Sequence, residues 1–311
     1  MTTLTQHAQD YLQIRHALGH KLAYATRYLP SFISYLEAQD LPTVTIAAAE
    51  AWARATPRQP ASPRAQYDRL AVTRGFARFM IGGDPQTEVP PVGLFMYRQE
   101  RRSPFLYSLD DIRALMSTTR HLSNHSFRGD TVATVIGLLG VTGMRVGEAL
   151  RLTLADIDWE AGILVIHDTK FAKSREVVLE SSTLSALEAY VTARQQWLAR
   201  SATMTLFVTE EGGPLKYAAM ARAFQRAIRA LALGHDEGIR PHLHHLRHAF
   251  AVRTLTGWYR SGVDVEAWLP RLSTYLGHTD PRDTYWYLTA VPELLHAAAR
   301  RVRIWQEEGT P

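Results

Sequence analysis

Residues 241–250, PHLHHLRHAF, place four imidazoles and one guanidinium within seven positions. His244 and Arg247 are three residues apart, so a helix would put them on one face, where one side chain can move a proton and the other can hold an anion. His244 and His248 have the spacing of a helical metal-binding pair. However, no glutamate stands between them as in H-E-x-x-H, and no carboxylate third ligand is indicated downstream. The spacing therefore favours proton and phosphate chemistry over a metal site.

Other groups that could do chemistry lie on either side of this stretch. Arg145 follows a tight turn in TGMRVGEAL, and Lys170 lies in a predicted β-turn in HDTKFAKSREVV. His278 stands in LGH, and Tyr287 follows it by nine residues. In chain order the candidates are therefore an arginine, a lysine, a His-x-x-Arg pair, a histidine and a tyrosine.

The first elements that must position these groups are helical. Residues 11–39, 43–56 and 64–82 carry apolar or helix-forming residues at three- and four-residue steps, which predicts a small helical domain over residues 1–90. Proline, glycine and charged residues then replace this periodicity and predict a linker at 91–107.

A second domain is expected over residues 108–311. Ser108 and the acids after it are typical of a helix start, and residues 128–153 predict an apolar helix, a Thr-Gly break and a second helix. Residues 156–180 alternate instead, which predicts a small antiparallel sheet. Everything after about residue 182 is expected to be helical, ending in an amphipathic helix at 291–309. The predicted fold class is thus mostly α with a small antiparallel β-sheet.

Composition narrows the class of protein. A chain of 311 residues with 46% hydrophobic and 21% charged residues is typical of a soluble globular protein of two domains. The longest apolar run, residues 131–143, is shorter than the roughly 20 residues a membrane helix needs. The chain has no cysteine, which excludes disulfides and thiolate zinc sites, and no apolar signal-peptide core, so we expect a cytoplasmic location. A net charge of +5 is compatible with a nucleic-acid partner.

Taken together, TGMRVGEAL, the Lys170 turn, PHLHHLRHAFA, LGH and the tyrosine after it resemble the tyrosine recombinases, the phage integrase family. That family has Arg, Lys, His-x-x-Arg, His or Trp, and Tyr in this order, and each position can be filled here. R-x-x-E or H-x-x-R alone occurs by chance, whereas the whole set in order, with a hairpin between its first two members, is specific. The resemblance implies a helical core-binding domain followed by a mixed α/β catalytic domain.

The resemblance implies that one phosphodiester is exchanged for another through a 3′-phosphotyrosyl intermediate, with Tyr287 as the nucleophile. Arg145 and Arg247 would then clamp the non-bridging oxygens, where negative charge builds. Because a free phenol has a pKa of about 10, Tyr287 needs a proton acceptor, and His244 is the expected one.

Four further residues are expected to support this chemistry. Lys170 would protonate the leaving 5′-oxygen, and His278 would hydrogen-bond the phosphate. Glu148, one turn after Arg145, would orient the site, and His248 would support it structurally. No metal, ATP or other cofactor is expected, because the covalent link conserves the bond energy.

Two of these assignments have competitors. Lys173 competes with Lys170, because the family's turn often has glycine after the lysine and Phe171 stands there instead. Tyr285 competes with Tyr287 from another helical face, and the nine-residue step from the LGH histidine favours Tyr287.

The expected partner is double-stranded DNA with a specific recombination site, bound by a homotetramer or together with related recombinases. Candidates for contacts to the DNA backbone are Arg64, Arg69, Arg74, Arg98, Arg101, Arg102 and Lys173. Integrase- and transposase-type strand exchange both fit this pattern. The alternative is a non-cleaving DNA-binding accessory protein with the same fold, and the completeness of the residue set argues against it.

Overall fold

The computed structural model describes residues 3–20, 22–55, 61–97, 103–167, 174–198, 203–235, 238–278 and 280–290. The chain divides into two compact units, residues 1–101 and 102–311. The predicted fold class is confirmed, since helices dominate and accompany a three-stranded antiparallel sheet. Among the helices of the described ranges, none is long and apolar enough to cross a membrane.

The described part of the first unit is helical. Its helices are α1 (Leu4–Ala17), α2 (Ala23–Ala38), α3 (Ile46–Arg54) and α4 (Pro63–Met80). The continuous helical segment expected over 11–39 is divided in two, because Gly19 adopts the left-handed conformation (φ 81°) that ends helices. Phe32 and Phe76 are fully buried where α2 and α4 pack together.

The second unit carries the sheet and the remaining helices. In chain order they are α5 (Leu109–His121), α6 (Ser126–Thr142), α7 (Val146–Ala149), a 3-10 turn (Leu154–Asp156), β1 (Ile157–Asp158), β2 (Ile163–Ile166), β3 (Arg175–Val178), α8 (Ser181–Trp197), α9 (Tyr217–Ala230), α10 (His244–Arg260), α11 (Val265–Leu276) and α12 (Arg282–Ala290). The strands are antiparallel in the order β1-β2-β3, and Leu164 of β2 lies opposite Val177 of β3. Ser108 and Asp111 form a reciprocal capping box that starts α5, as the sequence predicts.

Helix α6 lies in the centre of the larger core and contacts α5, α8 and α10. Ala133 and Val135 are two positions apart, about 200° around the helix, and both are fully buried, so opposite faces of this helix are covered. Phe105 and Tyr107, which fall within the predicted linker, are buried in the same core.

One expectation about the second unit is wrong. Residues 205–214 are not helical: Thr205 pairs with Thr153 and Val208 pairs with Pro214 in antiparallel bridges. The physical reason is that this segment's backbone pairs with other parts of the chain: the N–H of Leu206 donates to the carbonyl of Leu152 at 2.7 Å, and the N–H of Leu215 donates to that of Phe207 at 3.0 Å. Gly212, with φ 83°, then turns the chain back.

Helices α10, α11 and α12 enclose a second, smaller core in this unit. It includes Leu255, Leu269, Leu276 and Tyr287, of which Tyr287 is only 1% exposed. The nucleophile expected from the sequence is therefore part of a packed core. The amphipathic helix predicted at 291–309 lies outside the described residues.

Candidate active site

The site is built on two helix ends that terminate in glycine. Gly143 ends α6 and Gly277 ends α11, both in the left-handed conformation, with φ 63° and 69°. The last carbonyl groups of a helix have no partner within it and form the negative end of its dipole. Arg247 uses both: Nη1 donates to the carbonyl of Gly143 at 2.9 Å, and Nη2 donates to that of Leu276 at 2.7 Å. It is 2% exposed, so its guanidinium is fixed inside the protein.

Arg145 is held at the same end of α11. Its Nη2 donates to the carbonyl of Gly277 at 2.8 Å, and its Nη1 donates to Glu148 at 2.9 Å. Burial, followed by the positive charge of Arg145, lowers the pKa of Arg247 to about 10. The Arg247 guanidinium nonetheless stays charged at neutral pH, so two cations lie close together. The side chain of Arg145 is 34% exposed, which leaves it accessible to an anion from solvent.

Glu148 orients this arrangement through a residue that the sequence did not single out. Arg175 donates from Nη1 and Nη2 to the two carboxylate oxygens of Glu148, at 3.0 and 2.7 Å. It also donates from Nε to the carbonyl of Tyr275 at 2.9 Å. Burial alone would raise the pKa of Glu148, but the hydrogen bonds and charge of Arg175, and then those of Arg145, hold it at about 2. A buried carboxylate thus joins β3, α7 and the end of α11.

A signal for Arg175 exists in the strand pattern. Side chains two positions apart on a strand share a face, and Val177 is fully buried. Arg175 is therefore on the inward face of β3, where a charged side chain needs a partner.

The hydroxyl of Tyr287 meets α10. Its Oη lies 2.9 Å from Nδ1 of His248, within hydrogen-bonding distance. Burial raises the pKa of Tyr287, while the positive charge of the nearby Arg247 acts in the opposite direction. The competing Tyr285 is 48% exposed. The structure therefore brings Tyr287 to an imidazole and a guanidinium and leaves Tyr285 at the surface.

His244 and His278 complete the group. The ring of His244 packs edge-on against that of His248, with centroids 4.7 Å apart. Nδ1 of His278 hydrogen-bonds the hydroxyl of Thr284 at 2.6 Å, and its ring is stacked 6.3 Å from Tyr287. Partial loss of hydration, and then the charge of Arg247, lowers the pKa of each of the two histidines to about 4. Thr284 is fully buried and was not expected from the sequence.

The site residues from Arg145 to Tyr287 lie in a segment that matches a known protein family. Residues 107–293 match the model of the phage integrase family. The chain belongs to that family. A Sinorhizobium fredii (strain NBRC 101917 / NGR234) protein named as an integrase/recombinase, y4rB, is 41% identical over 99% of each chain. Tyrosine recombinase XerD of Staphylococcus saprophyticus is 29% identical over 70% of this chain and 69% of its own.

Solved structures show the same fold for this integrase-family chain. A structure of the Tn1549 transposon integrase in complex with a circular intermediate DNA superposes with a TM-score of 0.65 at 16% identity, covering 97% of this chain and 100% of that one. A structure of a lambda integrase dimer bound to a core site superposes with a TM-score of 0.61 at 18% identity, covering 92% of this chain and 77% of the other.

The two remaining histidines of residues 241–250 do not join this group of side chains. Nδ1 of His245 accepts a hydrogen bond from the backbone N–H of Phe105 at 3.3 Å, and its ring centroid lies 3.6 Å from that of His242. Within the described ranges, no group of three or more histidine or carboxylate side chains is arranged to hold a metal ion.

The DNA-backbone candidates of the first unit divide into two kinds. Arg69 is buried: it stacks 4.0 Å from the ring centroid of Trp52 and donates to the carbonyl of Ala55. Arg74 donates to the carbonyls of Pro90 and Pro91, both at 2.8 Å. Burial of Arg69 removes it from the surface where DNA would bind, whereas Arg74 is half-buried and its DNA contact stays a prediction. The guanidinium of Arg64 pairs with Asp68 at 2.8 Å and is more exposed. Lys170, Lys173, Arg98, Arg101 and Arg102 lie outside the described residues.

Proposed function

We propose that this integrase-family chain is a site-specific DNA recombinase that cleaves and rejoins DNA through a 3′-phosphotyrosyl intermediate, without metal or ATP. The observation that supports this most directly is the meeting of a phenol and two guanidiniums at one helix end. Arg145 and Arg247 donate to successive carbonyls there, Gly277 and Leu276, and the positive charge of Arg247 acts on the phenol of Tyr287. A fixed pair of cations beside a nucleophile suits attack on a phosphodiester.

In the proposed cleavage step, Oη of Tyr287 attacks phosphorus while the bond from phosphorus to the 5′-oxygen breaks. Arg145 and Arg247 balance the charge that builds on the non-bridging oxygens. His278, held through Nδ1 by Thr284, is proposed to donate a further hydrogen bond to the phosphate. Lys170 is proposed to protonate the leaving 5′-oxygen. Attack of a 5′-hydroxyl on the phosphotyrosine reverses these steps and rejoins a strand.

The proposed substrate is double-stranded DNA. A net charge of +5 favours a polyanionic partner, and the Tn1549 integrase with the same fold was solved on DNA. Strand exchange between two duplexes breaks four strands, so the proposal includes four protomers, which are either identical or related recombinases.

A nicked-duplex selection tests this function before any recombination site is known. The full chain is incubated with duplexes that carry a randomised segment and a nick, because the nick lets the released strand diffuse away and traps the adduct. Protein–DNA adducts that survive SDS are isolated and sequenced. Wild type is expected to enrich one sequence and to carry the nucleotide on Tyr287 in peptide maps.

Two matched tyrosine variants decide which residue attacks. Tyr287→Phe should give no adduct and still bind the selected duplex. Tyr285→Phe changes an exposed ring in the same helix and should give wild-type adduct. Adduct formation by Tyr287→Phe would contradict the assignment. Sequence-selective binding by wild type without any adduct would instead identify the non-cleaving accessory protein.

A further inference from the structure

The groups around the hydroxyl of Tyr287 include a candidate acceptor for its proton. Nδ1 of His248 lies 2.9 Å from Oη, and burial raises the pKa of the phenol while the nearby charge of Arg247 lowers it. The hydroxyl thus contacts a possible base, and a cation close by favours the ionised form of the phenol. The ring of His244, the acceptor expected from the sequence, packs edge-on against the ring of His248.

The surroundings of His248 keep its ring neutral. It is faced on α10 by Arg247, His244 and His245, just before α10 by His242, and on α12 by Tyr287 and the ring of Trp286. Burial, and then the charges of the neighbouring histidines and Arg247, lower the pKa of His248 to about 3. Since burial also raises the pKa of Tyr287, the resting pair is a neutral phenol and a neutral imidazole.

We propose that His248 receives the phenolic proton of Tyr287 on Nδ1, and that His244 contacts the substrate phosphate instead. In the resting tautomer the proton of the imidazole is on Nε2, and Tyr287 donates its hydroxyl to Nδ1. This assignment rests on the proposed recombinase function, because it concerns the cleavage step of that reaction.

The bond between Oη and phosphorus forms, the bond to the 5′-oxygen breaks, and the phenolic proton moves to Nδ1, which makes His248 an imidazolium. The 5′-oxygen takes its proton from a separate acid. The bound phosphate brings negative charge to Arg145 and Arg247, which offsets their repulsion of the imidazolium. Rejoining returns the proton from His248 to Oη.

A first experiment needs no DNA. The ¹⁵N resonances of His248 are recorded in histidine-labelled full-length protein, and His248→Asn identifies them by their loss. Nδ1 is expected in the unprotonated range and should shift in Tyr287→Phe, which removes the hydroxyl. A protonated Nδ1, or resonances unchanged in Tyr287→Phe, would overturn the proposed contact whatever the enzyme does.

The second experiment uses the duplex selected by wild type. The amide oxygen of His248→Asn can replace Nδ1 as an acceptor, but it takes up no proton. We expect unchanged DNA affinity and single-turnover cleavage at least ~100-fold slower, with a rate that rises with pH as Tyr287 ionises unaided. Replacing the 5′-oxygen by sulfur gives a leaving group that needs no proton. It should not restore the rate of His248→Asn, because the proton transfer lost in that variant is the one from Tyr287. His242→Asn, the matched control, should cleave like wild type.

His244→Asn separates the two candidate bases. Our assignment predicts that it slows cleavage without the steep rise with pH. It is overturned if His248→Asn keeps the wild-type rate and pH profile, or if His244→Asn shows the steep profile instead. If wild type forms no adduct with any duplex, the recombinase function and its proton transfer both fail, whereas the NMR result still decides whether the contact exists.

Discussion

At the scale of single residues, the ion pair between Arg175 and Glu148 should be worth more than any surface pair in the chain's described part. Glu148 is 4% exposed, so Arg175→Met would leave a buried carboxylate with Arg145 as its remaining cationic partner. Breaking a buried pair in this way typically costs about 3–5 kcal/mol. Cleavage should fall as well, because Glu148, no longer fixed by Arg175, positions Arg145 less firmly.

Denaturant unfolding of the full chain, followed by near-UV circular dichroism, measures this cost. Arg113→Met is the matched control, since its pair with Asp110 is 72% and 90% exposed and should change stability by less than about 0.5 kcal/mol. Arg175→Met combined with Glu148→Gln should recover part of the loss. Equal effects of Arg175→Met and Arg113→Met would show that the buried pair has no special role.

The same residues show what the sequence could and could not predict. Glu148 was found because R-x-x-E is local, three positions on one helical turn. Arg175 was missed because its partners, Glu148 and the carbonyl of Tyr275, lie 27 and 100 positions away. His248 was recognised, but its contact with Tyr287 depends on how α12 packs on α10, which side-chain types alone do not specify.

At the scale of elements, the glycines that end α6 and α11 should be irreplaceable. A methyl group on Gly143 would collide with the ring of Phe250 and lie 3.1 Å from Leu276, and one on Gly277 would lie 2.8 Å from the guanidinium of Arg175. Both variants also carry the cost of a left-handed alanine, about 1–2 kcal/mol. We expect Gly143→Ala to lose about 3 kcal/mol or more, and Gly277→Ala to reduce cleavage as well, because the carbonyl that holds Arg145 moves.

Gly238→Ala separates strain from collision. Gly238 has φ 62°, and an added methyl group meets no atom within 4 Å, so only the conformational cost remains. Thermal unfolding of the full-length variants gives the order of stability. A Gly143→Ala protein as stable as Gly238→Ala would mean that the neighbouring side chains yield and the end of α6 is not tightly packed.

Element boundaries could be predicted where a local signal marks them. Neighbouring residues alone predict two such boundaries, the capping box of Ser108 and Asp111 and the Thr-Gly break before Arg145. Residues 205–214 were not, because Thr205 pairs with Thr153, more than fifty positions earlier in the chain. A short apolar run gives no periodicity that distinguishes a strand from a buried helical turn.

At the scale of the whole molecule, the partly buried histidines of α10, together with His278, should make the stability of the fold depend on acid. Burial, and then neighbouring positive charge, lower the pKa values of His244, His245 and His278 to about 4 and that of His248 to about 3. The unfolded chain, with histidine pKa values near 6.5, therefore binds more protons than the folded one between these limits. Stability is thus highest above about pH 6.5 and falls as the pH drops towards 4.

This acid sensitivity can be separated from that of the carboxylates. Glu148, with a pKa of about 2, stabilises the fold above about pH 4.5, and that contribution is lost only at lower pH. Thermal unfolding of the full chain between pH 7.5 and 5 therefore reports on the histidines, at roughly 1 kcal/mol each after allowance for solvent screening. Replacing His248 and His278 together by asparagine should flatten the dependence, while the exposed His121→Asn should not. A melting temperature that stays constant from pH 7.5 to 5 would mean that these imidazoles are hydrated in the folded protein, and the neutral pairing of His248 with Tyr287 would lose its physical basis.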